Sequence, residues 1–352
     1  MLKGRKIGKI LCVVTAFVLV VAVAVGVVLW RSYKPMLSIQ ERANDGVGFG
    51  RVTVTSVEEL KNGNPWNENM ELSTLPVYKN PLNDENYPLL SGGDMKKMRA
   101  RLLEVVDKLG WDSDTLTVTE NELGNLIAKV SGATVSVDQA LNVSVSFLPV
   151  VSLTERYDFS HEGPYDEADL VDCLKTEYAE FLGMKDPQTE ISALDLSFDP
   201  PMNYFVQFFD RAGGDEQSII SYHFERIRFD CNSDGILYSI WIPQPDRSHK
   251  VGDYPIVSPE KATELLGQGC YLTVVQDEFP GVDKIGKVEL TYRTGEWNEY
   301  FMPYYCFYVE MPETEGRPGQ KDYGLYYVPA VEGKYIADMP DKPAYLTANG
   351  IK

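Results

Sequence analysis

The longest uncharged run of the sequence lies near its N-terminus, from Ile10 to Trp30. A helix over these 21 residues would be ~31 Å long at a rise of ~1.5 Å per residue, which matches the ~30 Å hydrocarbon core of a bilayer. Basic residues precede it at Lys3, Arg5, Lys6 and Lys9, and such residues stay on the cytoplasmic side. Residues 1–34 are therefore predicted to form a cytoplasmic basic tail and one transmembrane helix, with the bulk of the chain extracytoplasmic.

A cleaved signal peptide is the alternative for this run. The residues Ala22-Val23-Ala24 fit a small-residue cleavage site, although the apolar region of a signal peptide is only ~7–15 residues long. Cleavage there would leave apolar residues 25–30 as the new N-terminus. The length of the run favours an uncleaved anchor, and the sequence alone leaves the question of cleavage open.

The charge of the chain argues against polyanionic partners. The formal net charge is -19 overall, and the first 34 residues carry six basic and no acidic side chains. The remaining chain therefore holds 27 basic against 52 acidic residues, a net charge of -25. Because contacts with phosphates need clustered Lys and Arg, we expect neither nucleic acid nor an anionic lipid surface as a partner.

The outer part contains four cysteines, Cys173, Cys231, Cys270 and Cys306, without the spacing of a metal site. In an oxidising compartment they allow two disulfides in three possible pairings, and the sequence does not choose among them. Free buried thiols are the alternative. That alternative is favoured for Cys173, because it lies on an apolar helical stripe with Leu170 and Leu174.

Residues 35–90 are predicted to be a proline-interrupted spacer. Proline occurs there at positions 35, 65, 76, 81 and 88, which argues against a long helix or a central strand. One short strand is predicted, from Arg51 to Val57, because Val and Thr alternate in it.

Three α+β modules are predicted beyond the spacer, at residues 91–150, 160–245 and 254–338, followed by a tail at residues 339–352. Each opens with an amphipathic helix: one from Asp94 to Leu109, one from about Asp166 to Gly183, and one starting at Ser258-Pro259-Glu260, where Ser caps the helix and Pro needs no hydrogen-bond donor. Alternating apolar residues then predict the strands of each module. They lie at 116–118, 126–130, 134–137 and 141–148 in the first module and at 191–198, 204–209, 219–229 and 236–242 in the second. In the third module they lie at 287–292, 301–311 and 323–336.

Each module also closes with a segment that reads as strand, polar turn and strand, at residues 135–145, 229–240 and 328–336. A helix laid on one face of a small antiparallel sheet buries the apolar surfaces of both. The predicted fold class is therefore α+β, with a transmembrane helix followed by tandem modules of one helix on a small antiparallel sheet.

This order of helix, antiparallel strands and an SDG turn resembles the PepSY-type module of bacterial cell-envelope proteins. The third module adds the segments YPIVSPEKATELL (Tyr254–Leu266), KVELTYR (Lys287–Arg293) and FMPYYCFYVE (Phe301–Glu310), which are similar to the C-terminal module of YycI-type proteins. The resemblance to YycI- and YycH-type proteins implies a single-span extracytoplasmic accessory of a Gram-positive sensor histidine kinase. It covers about the last 180 residues and implies no catalytic residues.

No catalytic pattern is found in the sequence. It lacks the G-x-S-x-G and S-x-x-K motifs of nucleophilic hydrolases and has three histidines, His161, His223 and His249. Each is interpreted as an ordinary solvated or half-buried side chain. We therefore predict no catalytic, cofactor-binding or metal-binding residues, and no cofactor.

One segment resembles the start of a calcium-binding loop, with Asp230, Asn232, Asp234 and Gly235 at the required spacing. Position 12 of such a loop would be Trp241 instead of the bidentate Glu. A hairpin turn at Asp-Gly explains the same residues, and it is the favoured interpretation.

The third module is rich in aromatic residues, and between Phe301 and Met311 they occur on both alternating faces. One face could be an exposed contact patch for a protein, peptide or glycan. A strand buried on both sides is the favoured alternative.

These observations predict a membrane-anchored, non-enzymatic extracytoplasmic protein that binds or regulates a cell-envelope partner, such as a sensor kinase or another signalling protein. Two alternatives remain at this level. One is an envelope hydrolase whose residues meet only in the folded chain, and the other is a purely structural envelope module.

Overall fold

The computed structural model describes residues 34–40, 50–83, 94–113, 116–194, 201–243, 245–295, 297–312, 319–347 and 350–351. The fold is of the α+β class and consists mostly of sheet, with one sheet of eight strands and one of nine. Most pairings are antiparallel, and a short parallel pair joins residues 272–273 to 344–345. The predicted transmembrane helix at residues 10–30 lies outside the described residues. Within them, no helix is both long enough and apolar enough to cross a bilayer.

The described strands are numbered here in chain order: β1 (Arg51–Val54), β2 (Thr74–Lys79), β3 (Val118–Glu120), β4 (Leu126–Val130), β5 (Ala133–Val137), β6 (Val143–Ser152), β7 (Pro187–Leu194), β8 (Asn203–Asp210), β9 (Ile227–Asn232), β10 (Ile236–Ile242), β11 (Lys250–Pro255), β12 (Leu272–Thr273), β13 (Ile285–Arg293), β14 (Tyr300–Glu310), β15 (Lys321–Pro329), β16 (Ala344–Thr347) and β17 (Gly350–Ile351). The described α-helices are α1 (Met95–Lys108), α2 (Glu167–Glu177), α3 (Ala179–Leu182), α4 (Asp215–Phe224) and α5 (Pro259–Gly267).

The three predicted helices are present, with the capping residues that the sequence indicates, but the second is divided at Tyr178 into α2 and α3. Asp94 accepts hydrogen bonds from the backbone of Lys96 and Lys97 at the start of α1. Asp166 caps α2 in a reciprocal capping box, and α3 ends at Gly183, whose φ of 61° is favourable for glycine. Ser258 caps α5 directly before its first-turn proline.

The eight-stranded sheet has the order β3-β4-β5-β6-β10-β9-β8-β7, and every neighbouring pair is antiparallel. Helices α1 and α2 pack on one face of it and share a single apolar core with the sheet. The first two predicted modules, at 91–150 and 160–245, are therefore not separate units. Strands β6 and β10 join them through paired residues such as Val145 and Ile240, so that one sheet buries both helices together.

The nine-stranded sheet follows the order β11-β2-β14-β15-β12-β16-β17, with β1 also paired to β15 and β13 to β14. Strands β1 and β2 come from the segment predicted as a spacer, which is therefore an integral part of this sheet. Trp66, from the same segment, is buried in its core. Leu37 is fully buried and forms a parallel bridge with Ile336. Pro76 lies within β2, in the part of that strand that pairs with β11.

Two further sequence predictions differ from the structure. The predicted strand 219–229 is divided into helix α4 and strand β9. Residues 218–222 and 224 of α4 are all buried, so the segment has no single apolar stripe that would identify it as a helix. The third predicted hairpin, at 328–336, is also absent, because β15 ends at Pro329 and a short 3-10 helix follows at residues 333–335.

Helix α4 connects the two sheets. It follows β8 of the eight-stranded sheet along the chain, and its Ile219, Ile220 and Phe224 belong to the core of the nine-stranded sheet. Phe224 lies 5.0 Å from Tyr292 and 5.6 Å from Tyr78, measured between ring centroids. Helix α4 thus follows the eight-stranded sheet along the chain and packs into the core of the nine-stranded sheet.

Candidate functional site

The three histidines have different surroundings. His161 lies near the start of α2, where Asp169 is 3.0 Å from its Nε2, and hydrogen bonds with the backbone of Glu162 and with Asp169 raise its pKa. His223 lies on α4 with its Nε2 buried, and burial lowers its pKa to about 3. His249 follows β10 and contacts Ser248. Each ring thus interacts with a different set of neighbours.

The calcium-like segment forms the turn between β9 and β10. The side chain of Asn232 accepts hydrogen bonds from the backbone N–H groups of Asp234 and Ile236, and Gly235 has a φ of 73°. Asp230 instead accepts hydrogen bonds from Arg228 and Ser239. These side chains serve a hairpin turn. Within the described part of the chain, no group of three His, Cys, Asp or Glu residues is placed to hold a metal ion.

All four outer cysteines are free thiols in the structure. Cys173 and Cys231 lie in the core of the eight-stranded sheet, as predicted for Cys173, and burial raises the pKa of each to about 12. Cys306 is buried on β14, and its pKa is also raised by burial. Cys270 is partly exposed.

The aromatic strand β14 is covered on both faces. Tyr305 and Phe307 belong to the core that contains α4 and α5. Tyr304, on the opposite face, belongs to the core formed with the N-terminal segment around Leu37. Tyr308 donates a hydrogen bond to Glu289 over 2.7 Å. Burial on both sides, the favoured interpretation, is confirmed for most of the strand.

A concave site lies between the two sheets. It consists of two adjoining cavities of about 580 Å³ and about 200 Å³, which we call the inter-sheet cleft. Helix α1 and the turn between β5 and β6 form one wall. The segment between β10 and β11 and residues 78–82 form the other. The cleft is lined by Tyr78, Pro81, Leu82, Asp94, Lys97, Ala100, Arg101, Glu104, Gln139, Ala140, Leu141, Pro245, Asp246, Arg247, Ser248 and His249.

Ion pairs hold the two walls together. Lys97 Nζ on α1 lies 2.7 Å from an oxygen of Asp246, whose side chain is only 15% exposed. Burial raises the pKa of Asp246, but hydrogen bonds from Lys97 and Ser248 outweigh this effect and lower it. Arg247 pairs with Glu225 just after α4. The segment between β10 and β11 is thereby bound to both α1 and α4.

Arg101 differs from the other two basic residues of the cleft. Its side chain is 13% exposed, and one terminal nitrogen lies 2.9 Å from Glu104. Its Nε atom is buried and has no hydrogen-bond partner. Glu104 also pairs with Lys108, 2.9 Å away on the next turn of α1. A buried guanidinium N–H without an acceptor is unusual in a folded protein, so the hydrogen-bonding capacity of Arg101 is not fully used within the protein.

Apolar groups complete the cleft. Leu141 lines both cavities and has a φ of 67°, a conformation that is uncommon for a residue with a branched side chain. Tyr78 forms part of the opposite wall, with the guanidinium of Arg247 5.7 Å from its ring centroid. The site thus combines apolar surface with a few fixed charges, as small-molecule sites commonly do.

A second cavity, of about 510 Å³, lies at the start of α5. Trp66 and Tyr305 form its aromatic part, and their ring centroids are 5.7 Å apart. Glu68, Glu71 and Glu260 are its charged residues. Each of these three carboxylates is exposed, so they are well solvated. The inter-sheet cleft, whose charges are partly buried, is the stronger candidate for a binding site.

No residue pattern in the sequence indicated the inter-sheet cleft. Lys97 and Asp246 are separated by 149 positions, and neither belongs to a recognisable motif. Arg101 looks like an ordinary polar position on an amphipathic helix. The pairing of β6 with β10, which brings these residues together, could not be inferred from residue patterns alone.

Comparisons with known proteins do not assign the chain. No protein-family model matches it, and no curated protein does so. Among solved structures, one similar chain is an uncharacterized protein from Eubacterium rectale ATCC 33656. The two chains are 13% identical with a TM-score of 0.38, over 74% of this chain and 85% of that chain.

Proposed function

We propose that this is a membrane-anchored, extracytoplasmic protein that binds or regulates a cell-envelope partner, and that the inter-sheet cleft is its contact site. The observation that carries the proposal is the construction of the cleft. Its walls belong to two different sheets, and the Lys97–Asp246 pair joins them. Ligand sites occur preferentially at such boundaries, and a bound group that contacts both walls can alter how they sit against each other.

The membrane anchor and the extracytoplasmic location are supported by the sequence, through the apolar run at 10–30 and the basic residues before it. The resemblance to YycI-type proteins supports a sensor kinase as one class of partner. This part of the proposal is independent of the cleft and has its own experiment.

Location is tested by placing a cysteine at Ser146, an exposed position on β6, in intact cells. A membrane-impermeant maleimide should label the S146C variant without permeabilisation. Labelling that appears only after permeabilisation would place the bulk of the chain in the cytosol and overturn the assignment. The parent protein without the new cysteine is the control for labelling at Cys270.

The contact site is tested by incorporating p-benzoylphenylalanine at position 248 in the cleft and, as a control, at position 146 on the uncovered sheet face. Irradiation of cells should give a discrete crosslinked envelope protein from position 248 and none, or a different one, from position 146. Mass spectrometry identifies the product. The same product from both positions, or none from position 248, would contradict a partner at the cleft.

A further inference from the structure

The inter-sheet cleft is much less acidic than the chain as a whole. Three basic residues, Lys97, Arg101 and Arg247, and two acidic residues, Glu104 and Asp246, line its larger cavity, whereas the whole chain has a formal net charge of -19. The smaller cavity adds Asp94, so the whole cleft has three basic and three acidic lining residues. An anion approaching most of this protein is repelled, and the cleft, whose charges balance, is a local exception.

The three basic residues are not equally available. Lys97 is paired with Asp246 and Arg247 with Glu225. Arg101 is paired with Glu104 through one nitrogen, and its Nε lacks an acceptor. A guanidinium group presents its N–H donors as a fork that matches two oxygens of a carboxylate or phosphate. Arg101 is consequently the residue at which an oxyanion gains most.

The remaining lining determines what the anion is attached to. Tyr78, Leu141 and Pro245 provide apolar surface, and a cavity of about 580 Å³ is within the ~300–1,000 Å³ range of small-molecule sites. A free inorganic ion would leave most of this space and surface unused.

We propose that the inter-sheet cleft binds a small organic monoanion, with its carboxylate or phosphodiester group at Arg101 and its apolar body against Tyr78 and Leu141. This inference rests on the proposed function, since it names the chemical class of the group that the cleft receives.

The test is a calorimetric titration of the purified full-length protein with benzoate, benzamide and benzylamine. These probes share an aromatic body and carry a negative charge, no charge and a positive charge. We expect benzoate to bind at least tenfold more tightly than either of the others. Diethyl phosphate in place of benzoate distinguishes the two oxyanions: tighter binding of it assigns a phosphodiester, and weaker binding a carboxylate.

Variants connect the binding to Arg101. Arg101→Gln should weaken benzoate binding at least tenfold, and Arg101→Lys, which keeps the charge but loses the fork, should have a smaller effect. Lys108→Gln is the matched control, because Lys108 is on the same helix and contacts the same Glu104 but does not line the cleft. Its affinity for benzoate should change less than twofold.

A second variant covers the case in which Arg101→Gln lowers the melting temperature. Ala100→Leu partly fills the cavity without altering its charge, and it should also weaken benzoate binding. Equal binding of benzoate by wild type, Arg101→Gln and Ala100→Leu, or equal binding of benzoate and benzylamine, would overturn the proposal. If benzoate fails to bind while position 248 still captures an envelope protein, the ligand class is wrong and the proposed function stands. If benzoate binding depends on Arg101 but position 248 gives no crosslink, the ligand class is right and the proposed partner contact is wrong.

Discussion

His223 is a half-buried titratable group, with a buried Nε2, at the contact between the two sheets. Its ring lies 4.9 Å from that of Tyr222 and 5.7 Å from that of Tyr292 on β13, and its Nε2 is buried without a partner. Burial and the nearby charge of Arg226 lower its pKa to about 3, although a backbone hydrogen bond with Leu290 acts in the opposite direction. The ring is therefore neutral in the folded protein at ordinary pH.

The low pKa of His223 predicts acid sensitivity. In the unfolded chain this histidine titrates near ~6.5; its folded pKa is lower, so its neutral form contributes stability that is complete above ~6.5 and is lost as pH falls toward 3. We expect the free energy of unfolding to decrease by about 1.4 kcal/mol per pH unit from this residue in that window. Urea denaturation at several pH values measures this decrease in the free energy of unfolding.

Two variants separate the contribution of His223 from those of other groups. His223→Asn should flatten the pH dependence between 6.5 and 3. His161→Asn is the control, because the pKa of His161 is raised. The contribution of His161 to the free energy of unfolding is present at low pH and lost as pH rises, so His161→Asn should not flatten the pH dependence in this window. An unchanged slope in His223→Asn would show that the His223 ring is not the source of acid sensitivity.

The cysteines differ in their expected reactivity because the thiolate is the reactive form. Burial raises the pKa of Cys173 and Cys231 to about 12 and that of Cys306 as well. Burial raises the pKa of Cys270 too, but its side chain is the partly exposed one of the four. In a Cys12→Ser background, iodoacetamide at pH 8 should label Cys270 first, as measured by peptide mass spectrometry. Rapid native labelling of Cys306 would contradict the packing of β14, and full labelling in denaturant is the control.

At the level of elements, α4 carries the contact between the two sheets. The ring of Phe224 is 1% exposed and lies near Tyr78, Tyr292 and Phe301. Phe224→Ala should lower the free energy of unfolding by about 3–5 kcal/mol, because it removes buried apolar surface and leaves a cavity. Denaturation followed by tryptophan fluorescence measures this change.

The control for this substitution is Tyr238→Ala, which truncates an aromatic residue that is 41% exposed. We expect its effect to stay within about 0.5 kcal/mol. A loss below about 1 kcal/mol in Phe224→Ala would mean that the two sheets do not depend on this contact.

The same elements show what sequence reasoning can and cannot reach. Helices α1, α2 and α5 were predictable because each has a capping residue and one apolar face. Helix α4 was not, because it is buried nearly all round. Strand β2 was not either, since Pro76 argued against a strand. In the folded chain β14 pairs with β2 only at Tyr78 and Lys79, beyond Pro76. The carbonyl of Pro76 accepts a hydrogen bond from the Tyr292 hydroxyl.

The candidate site was less accessible to sequence reasoning than the fold. Its charged residues are of the types that are common on protein surfaces. Their role depends on burial and on partners that are distant in the sequence. The partly buried Arg101 and the exposed Lys108 occupy the same helix, and only the folded structure distinguishes them. The histidines and the calcium-like turn, which the sequence does make visible, lie mostly apart from the cleft. Only His249 lines it, in the smaller cavity.

At the scale of the whole molecule, the eight-stranded unit is inserted into the nine-stranded one. All buried residues in the core of the eight-stranded sheet lie between Met98 and Ile242. The nine-stranded sheet takes β1 and β2 from before this range and β11 to β17 from after it. The insertion begins and ends at the two sides of the inter-sheet cleft. A group bound there contacts both connections between the units, and this gives the cleft a position from which a ligand could affect their arrangement.

The insertion predicts unequal behaviour of fragments. A fragment of residues 94–243 holds every strand of its sheet and both of the longer helices packed on it, so it should unfold cooperatively on its own. Because α4 would then expose Ile219, Ile220 and Phe224, the solubility of this fragment should improve with Ile220→Ser.

A fragment of residues 245–352 lacks β1, β2 and the buried Trp66. Its circular dichroism spectrum should be that of an unfolded chain. Mixing it with a peptide of residues 34–83 should restore structure, since that peptide supplies the missing strands. Cooperative folding of 245–352 alone would indicate that the N-terminal segment is a dispensable spacer after all, and failure of 94–243 to fold would show that the two sheets form one inseparable unit.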